Sequence, residues 1–267
     1  MHLARGSLSI KKAITHTVRM TSSWAFPVFD HFLLYCKDLD QATEKICSIT
    51  GVRPVFGGKH TGRGTHNAVV SLASLNGAGV KWPPVYLELI SKDPEQNIDI
   101  PAFSFSMDDS LEGKMLHWAA MVPQGTLGHF VDTMNSSKSL RKEWPALGAP
   151  FQMQRMTPTG EVLQWTLSLP VSRSPLPADG LLPFLLDWEN VIENANHPGQ
   201  TAPKGITLKG MTLKHKDSDH LKGVLDELGL LNVESNGGYS INVVSGDSSE
   251  MTLHLDTPNG PVDLSEF

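Results

Sequence analysis

Four runs of the chain place polar, chemistry-bearing residues where apolar ones are expected. His31 opens His31-Phe-Leu-Leu-Tyr-Cys36, and His117 opens His117-Trp-Ala-Ala-Met-Val122. Glu88 lies within Tyr86-Leu-Glu-Leu-Ile90, and Asp187 within Phe184-Leu-Leu-Asp-Trp-Glu189. Short apolar runs of this kind are buried strands. A carboxylate inside one is costly unless it is paired. Strand side chains alternate, so Glu88 shares a face with Tyr86, and Asp187 shares one with Glu189. Two imidazoles and one or two carboxylates facing a common cleft make a site for a divalent ion, whether Zn, Ni, Co, Mn or Fe, with positions left open for substrate. The candidate ligands are His31, His117 and Glu88, together with Asp187 or Glu189. The competing account pairs Glu88 with Arg63 or Arg155 and leaves each histidine as a hydrogen-bonded core residue.

Other candidates surround these. Gly57-Gly-Lys-His-Thr-Gly-Arg-Gly-Thr-His-Asn67 is a glycine- and cation-rich loop entering a strand. It lacks the Gly-Lys-Ser/Thr ending and following helix of a phosphate-binding loop. Arg63 is expected to bind a substrate carboxylate, and His66 to act as a general base. Asn67 is a further substrate-binding candidate. Alternation sets it on the opposite face from His66, so one of the two lines the cleft. Trp118, Trp165 and Trp188 are expected to wall a pocket for an apolar or aromatic substrate, against the plainer reading that they are core. Asp187 and Glu189 are also candidate bases. His197-Pro198 is placed to close over the site, whereas His215, His220 and His254 read as surface or structural.

The elements that must position these residues form one pattern written three times. The His31 run is followed by a helix with Leu39, Ala42, Ile46 and Ile49 on one face. Asp38 and Gln41 form its capping box and Gly51 its stop. The His117 run precedes a helix with Leu127, Phe130, Val131 and Met134 inward. A third strand, Gly210-Met-Thr-Leu-Lys-His215, precedes a helix capped by Asp217 or Ser218. Its inner face is Leu221, Val224, Leu225 and Leu228. Each strand–helix pair leads into β-rich sequence, which gives a βαβββ order each time, abbreviated in the third copy. The fold class is therefore α+β, with units at 29–110, 111–200 and 205–267. His31 and His117 occupy equivalent positions; the third copy has Gly210 there.

Composition narrows the function classes. Net charge is −6, with 22 Lys+Arg against 28 Asp+Glu, so no basic surplus points to nucleic acid. No apolar stretch reaches the length of a membrane span. Two cysteines, Cys36 and Cys47, cannot form a disulfide scaffold and fit buried thiols in a reducing, intracellular compartment. Residues 1–28 form a basic, acid-free leader. Arg5, Lys11, Lys12 and Arg19 precede the first acid, Asp30. Such a segment fits an organellar transit peptide, mitochondrial or plastid; the alternatives, for a cytoplasmic protein, are a disordered tail or translation that starts instead at Met20. The expected partner is a small-molecule substrate. Exchange of paired modules between chains leaves a homodimer open.

The residues now assembled resemble a known group. Paired βαβββ modules with His on the first strand and Glu on the last are similar to the vicinal oxygen chelate superfamily, and to its glyoxalase-like domain family in particular. The phrases that carry this are Asp30-His-Phe-Leu-Leu-Tyr35, Gly51-Val-Arg-Pro54, Gly62-Arg-Gly-Thr-His-Asn67, Tyr86-Leu-Glu-Leu-Ile90, Pro158-Thr-Gly-Glu-Val-Leu-Gln-Trp165 and Leu182-Pro-Phe-Leu-Leu-Asp-Trp188 with His197-Pro198. The resemblance implies curled mixed β-sheets enclosing a cleft. It implies a divalent metal at His31, Glu88 and His117, with Asp187 standing approximately where the superfamily carries its fourth ligand. The implied activity is a metal-dependent lyase or isomerase acting on a small oxygenated substrate. The alternatives are an extradiol-type dioxygenase and a metal-free binding module of the same fold.

Overall fold

The chain is described from a computed structural model covering residues 26–60, 62–74, 84–96, 107, 109–137, 147–171, 176–188, 196–233 and 238–267. Glu189 and the leader up to residue 25 lie outside the described residues.

The first unit runs β1 (Val28–Tyr35), α1 (Leu39–Thr50), β2 (Val55–His60), β3 (Thr65–Ser74) and β4 (Val85–Lys92). The second runs β5 (Met115–Met121), α2 (Leu127–Ser136), β6 (Phe151–Met156), β7 (Val162–Ser168) and β8 (Phe184–Asp187). A one-turn helix, α3 (Pro198–Thr201), leads into the third: β9 (Ile206–His215), α4 (Ser218–Glu227), β10 (Ser240–Ser245), β11 (Glu250–Thr257) and β12 (Gly260–Leu264). Local signals account for the helix ends. Asp38 accepts from Gln41 N at 2.9 Å and Gln41 Nε2 at 3.0 Å. Gly51 takes φ 75° and returns its N–H to Cys47 O. Asp217 caps α4 through His220 N.

In both of the first two units the opening strand pairs parallel with the closing one, β1 with β4 and β5 with β8. β1 and β5 pair antiparallel and join the units. The sheet order is β12-β11-β9-β3-β2-β6-β7-β8-β5-β1-β4, and the β3–β4 ladder joins its far end back to β3. The run from β3 through β2, β6, β7, β8, β5 and β1 to β4 is therefore a closed ring, sealed where Lys59 of β2 meets Met156 of β6. Closure removes the sheet edges and leaves an interior that side chains must fill. The curled, enclosing sheet expected from the sequence is thus present.

The third unit repeats the element order but not the ladder. Its opening strand β9 pairs parallel with β10 rather than with its last strand, and antiparallel with β11. It joins the ring along β3, where Leu72 faces Ile206. Tyr239 stacks on Phe29 at 5.5 Å, and Asn259 Nδ2 donates to Ser48 O and Ile49 O at the end of α1. The unit thereby covers the outer face of the ring. That face shares one apolar core with the helices (Phe32, Leu34, Ile46, Leu87, Leu89, Trp118, Leu221 and Leu253 among others), while a second core fills the ring interior. Among the described residues, no helix is long and apolar enough to cross a membrane.

Candidate functional site

The ring interior holds a pocket with about 460 Å³ of empty space, part of it open to solvent. It is lined by His31, Leu33, His60, Asn67, Tyr86, Glu88, Ile90, Arg155, Trp165, Leu167, Phe184 and Trp188. Alternation explains most of this list. Tyr86, Glu88 and Ile90 point inward from β4 while Val85, Leu87 and Leu89 join the outer core. On β3, Asn67 faces the pocket, and His66 lies on the other side against Phe56.

Alternation fails at β1, and the failure builds the site. Phe29 pairs with Ala120 and His31 with Ala119, so Asp30 is the extra residue of a β-bulge. Asp30 and His31 are thereby both directed to the inner side, beneath Phe29 and Phe32 of the outer core. The Asp30 carboxylate is fully enclosed and accepts from three rings: His31 Nδ1 at 2.5 Å, Trp188 Nε1 at 2.8 Å and His197 Nε2 at 3.0 Å. Burial by itself would raise its pKa. The charge attraction and hydrogen bonds of His197 and His31 outweigh burial and hold it well below the usual carboxylate range. His197 is set by α3, where its Nδ1 accepts from Gly199 N at 3.1 Å. Its Nε2 therefore carries the N–H that donates to Asp30.

With Nδ1 committed to Asp30, His31 directs Nε2 into the pocket, 3.5 Å from Glu88 Oε2. The other Glu88 oxygen accepts from Asn67 Nδ2 at 2.8 Å. Asn67 Oδ1 accepts in turn from Arg155 Nη1 at 3.2 Å. His60 stands behind Glu88, its Nε2 at 3.9 Å from Oε1 and its Nδ1 at 2.8 Å from Thr65 Oγ1. Burial lowers the His60 pKa to about 4, against the opposing pull of Glu88, so this imidazole is neutral. Burial raises Tyr86 well above the ordinary tyrosine value, leaving a protonated phenol stacked on His31 at 4.7 Å.

Five of the residues singled out in the sequence converge here: His31, Asn67, Glu88, Trp165 and Trp188. His197, expected to close over the site, supports Asp30, and Arg155, a possible partner of Glu88, lines the pocket; Asp187, His117, Trp118, Arg63 and His66 do not line it. Asp187 falls on the opposite face of β8 from Phe184 and Trp188, and its Oδ2 accepts from Gly125 N at 2.5 Å, ahead of α2. It serves that turn instead of the pocket. His117 is inside the ring but deeper, opposite Leu33, and packs edge-on against Phe184 at 5.2 Å. Phe184 also touches His31 at 5.6 Å. Burial lowers the His117 pKa to about 3, and it does not line the pocket. Trp118 points outward into the helix-covered core and donates Nε1–H to Leu181 O at 2.8 Å. Arg63 lies over the Phe151 ring at 5.2 Å. Asp30, His60, Tyr86, Arg155 and Phe184 complete the pocket or its support without having been assigned a site role from the sequence.

This arrangement bears on the expected metal. His31 Nε2 and Glu88 Oε2 are close enough for one ion to touch both, given ligand bonds of about 2.0–2.2 Å. The remaining expected ligands do not join them, because Asp187 faces away and His117 is packed behind Phe184. Among the described residues, no group of three or more His, Cys, Asp or Glu side chains is placed to hold a metal ion. The expected four-ligand set does not fit this pocket.

Comparison with known proteins agrees with the architecture. The model of the family described as "Glyoxalase-like domain" matches residues 29–229. The chain belongs to this glyoxalase-like family of the vicinal oxygen chelate superfamily. No curated protein matches the sequence. Among solved structures, a hypothetical protein from Staphylococcus aureus is similar with TM-score 0.57 at 17% identity, over 84% of this chain and 88% of that one. A methylmalonyl-CoA epimerase from Mycobacterium tuberculosis is similar with TM-score 0.36 at 18% identity, over 64% of this chain and 92% of that one. A Streptomyces coelicolor methylmalonyl-CoA epimerase gives 0.37 at 16% identity, over 61% and 94%.

Proposed function

We propose that the pocket is a proton-transfer site, and that the protein is a lyase or isomerase acting next to a carbonyl of a small oxygenated substrate. The observation carrying this is the Asp30–His31 contact of 2.5 Å, which leaves His31 Nε2 facing the pocket beside Glu88. His31 Nε2 takes the proton from carbon, and the C–H electron pair moves into an enolate. Asp30 and Glu88, one at each ring nitrogen, stabilise the imidazolium that forms. The proton then returns to the substrate from the same nitrogen. A base held in this way contributes about 10²–10⁴-fold. Tyr86 supplies a phenol that burial keeps protonated, and Trp165, Trp188 and Phe184 give apolar walls that exclude water.

Exchange of substrate carbon-bound hydrogen for deuterium in D2O, followed by proton NMR, tests the proposal. A panel of small 2-oxo acids that includes pyruvate, 2-oxobutyrate and phenylpyruvate is suitable, because each carries an acidic C–H next to a carbonyl. The expected result is catalysed exchange for at least one member, lost in His31→Gln and in Glu88→Gln. Exchange that both variants retain at the wild-type rate would overturn the proposal, as would absence of exchange across the panel.

A further inference from the structure

Arg155 is the residue of the pocket that the proton-transfer step leaves unused. It projects inward from β6 and is only 4% exposed. A guanidinium carries five N–H donors and stays charged under all ordinary conditions. Among the described residues, its side-chain hydrogen-bond partner is Asn67 Oδ1, and no carboxylate lies within ion-pair distance. Glu88 is separated from it by the Asn67 amide, which donates to Glu88 and accepts from Arg155. A buried cation whose fork is largely unspent is costly unless something completes it.

The chain is shaped around this group. A Cβ on Gly57 would stand 2.4 Å from Arg155 Nη1 and 2.5 Å from Asn67 Oδ1. A Cβ on Gly58 would lie 3.1 Å from Arg155 Cγ and 2.2 Å from Met156 O, at a backbone φ of +140°. β2 is bulged between Phe56 and Gly58, and it is β2 that seals the ring against β6. The two glycines thus let the seam close over the guanidinium while its inner side lines the pocket. A planar fork presented into a cavity matches a carboxylate, which can accept two parallel N–H bonds.

We propose that Arg155, oriented by Asn67, is the carboxylate-binding subsite of the pocket, so that the substrate is a small organic acid anion held with its reacting carbon toward His31. This rests on the proton-transfer reading for the role of the bound acid, but not for its binding. Trp165 and Trp188 line the same pocket and offer an apolar surface to the body of such an anion.

Binding of malonate, measured by the fluorescence of these tryptophans and by calorimetry, tests the subsite without requiring turnover. Wild type should bind malonate saturably and should not bind neutral malonamide. Arg155→Met should weaken malonate by about tenfold or more, the effect of losing a charge-assisted partner, and His31→Gln should keep most of the binding. Arg155→Met leaves Asn67 Oδ1 without its donor, so the fold of the Arg155→Met protein is checked by circular dichroism and melting before binding is compared. Should that variant fail to fold, Arg155→Lys, which keeps the charge but loses the fork, should show the same direction of loss. Equal binding of malonate by the Arg155 variants, or equal binding of malonamide by wild type, would overturn the proposal. Malonate binding without deuterium exchange on the 2-oxo acids would count against the proton-transfer reading and leave the subsite standing.

Discussion

His31 Nδ1 lies 2.5 Å from Asp30 Oδ1. A carboxylate this far below its usual pKa can only accept, so that ring nitrogen carries the proton, and in the neutral imidazole Nε2 is the nitrogen whose lone pair faces the pocket. The bulge at Asp30 makes this possible between neighbours in sequence, which a regular strand would send to opposite faces.

Replacing Asp30 by Asn should therefore affect rate more than binding. The amide offers one acceptor oxygen to three donor rings and can donate to His31, which favours the wrong tautomer. Proton transfer is expected to fall about 10²–10⁴-fold, with KM changed by only a few fold. Steady-state kinetics on the 2-oxo acid that exchanges fastest check this, and an unchanged kcat would contradict it.

Stability should decline with acid in a defined window. His60 and His117 stay neutral in the native state down to about 4 and about 3, because burial penalises their charged forms. In the unfolded chain both take a proton near pH ~6.5. Below that value the unfolded state binds more protons, so stability falls as pH drops from ~6.5 toward ~3, by on the order of several kcal/mol in all. Asp30 acts in the same direction at lower pH. Its stabilisation is fully present above the unfolded carboxylate value of ~3.9 and is lost as pH falls through its depressed native value. Urea midpoints between pH 8 and 4 should fall for wild type and fall less steeply for His60→Gln. A flat profile would argue against both buried histidines being neutral.

Asp187 separates a structural role from a metal-binding one. Its bond to Gly125 N fixes the turn before α2, so Asp187→Ala should lose about 1–3 kcal/mol of unfolding free energy. Proton transfer measured below the melting range should stay within a few fold of wild type, before and after exhaustive chelation. Activity that vanishes with chelator and returns with one particular divalent ion would contradict the donor geometry described here.

Gly199 offers a test of the support behind Asp30. A Cβ there would stand 1.6 Å from Pro84 O, so Gly199→Ala must push α3 away from the start of β4 and draw His197 off Asp30. A destabilisation of about 1–3 kcal/mol is expected from such overpacking, together with slower proton transfer. Wild-type activity in this variant would mean that His197 does not support the site.

How much of this was legible in the sequence follows from which residues obey local rules. The inward face of β4 comes from alternation, and α1 from its capping box; on β3 alternation says only that one of His66 and Asn67 faces the cleft, and the structure turns Asn67 inward in place of the expected base His66. Of the three tryptophans expected to wall a pocket, Trp165 and Trp188 do so and Trp118 does not. Alternation also shows why two expectations excluded each other: Asp187 and Trp188 are adjacent in a strand, so they could not both face the cleft, and the tryptophan does. His117 and Trp118 posed the same choice, with the histidine turned inward but placed too deep. The repeat placed His117 in an equivalent position to His31 without revealing that Phe184 packs against both imidazoles. Asp30 was missed because a bulge carries no strong residue signature here. His60 and Arg155 were missed as site residues because they come from β2 and β6, which meet through tertiary closure of the ring.

The central claim is that Asp30 holds His31 with an unprotonated Nε2 in the pocket. Two-bond proton–nitrogen NMR of 15N-histidine-labelled protein at about pH 8.5, where imidazoles are ordinarily neutral, reads this tautomer directly. His31 is assigned by its absence in His31→Gln. The account predicts a protonated Nδ1 and a bare Nε2 for His31 in wild type, shifting toward the other tautomer in Asp30→Asn. A wild-type spectrum with the proton on Nε2, or one that Asp30→Asn leaves unaltered, would contradict it.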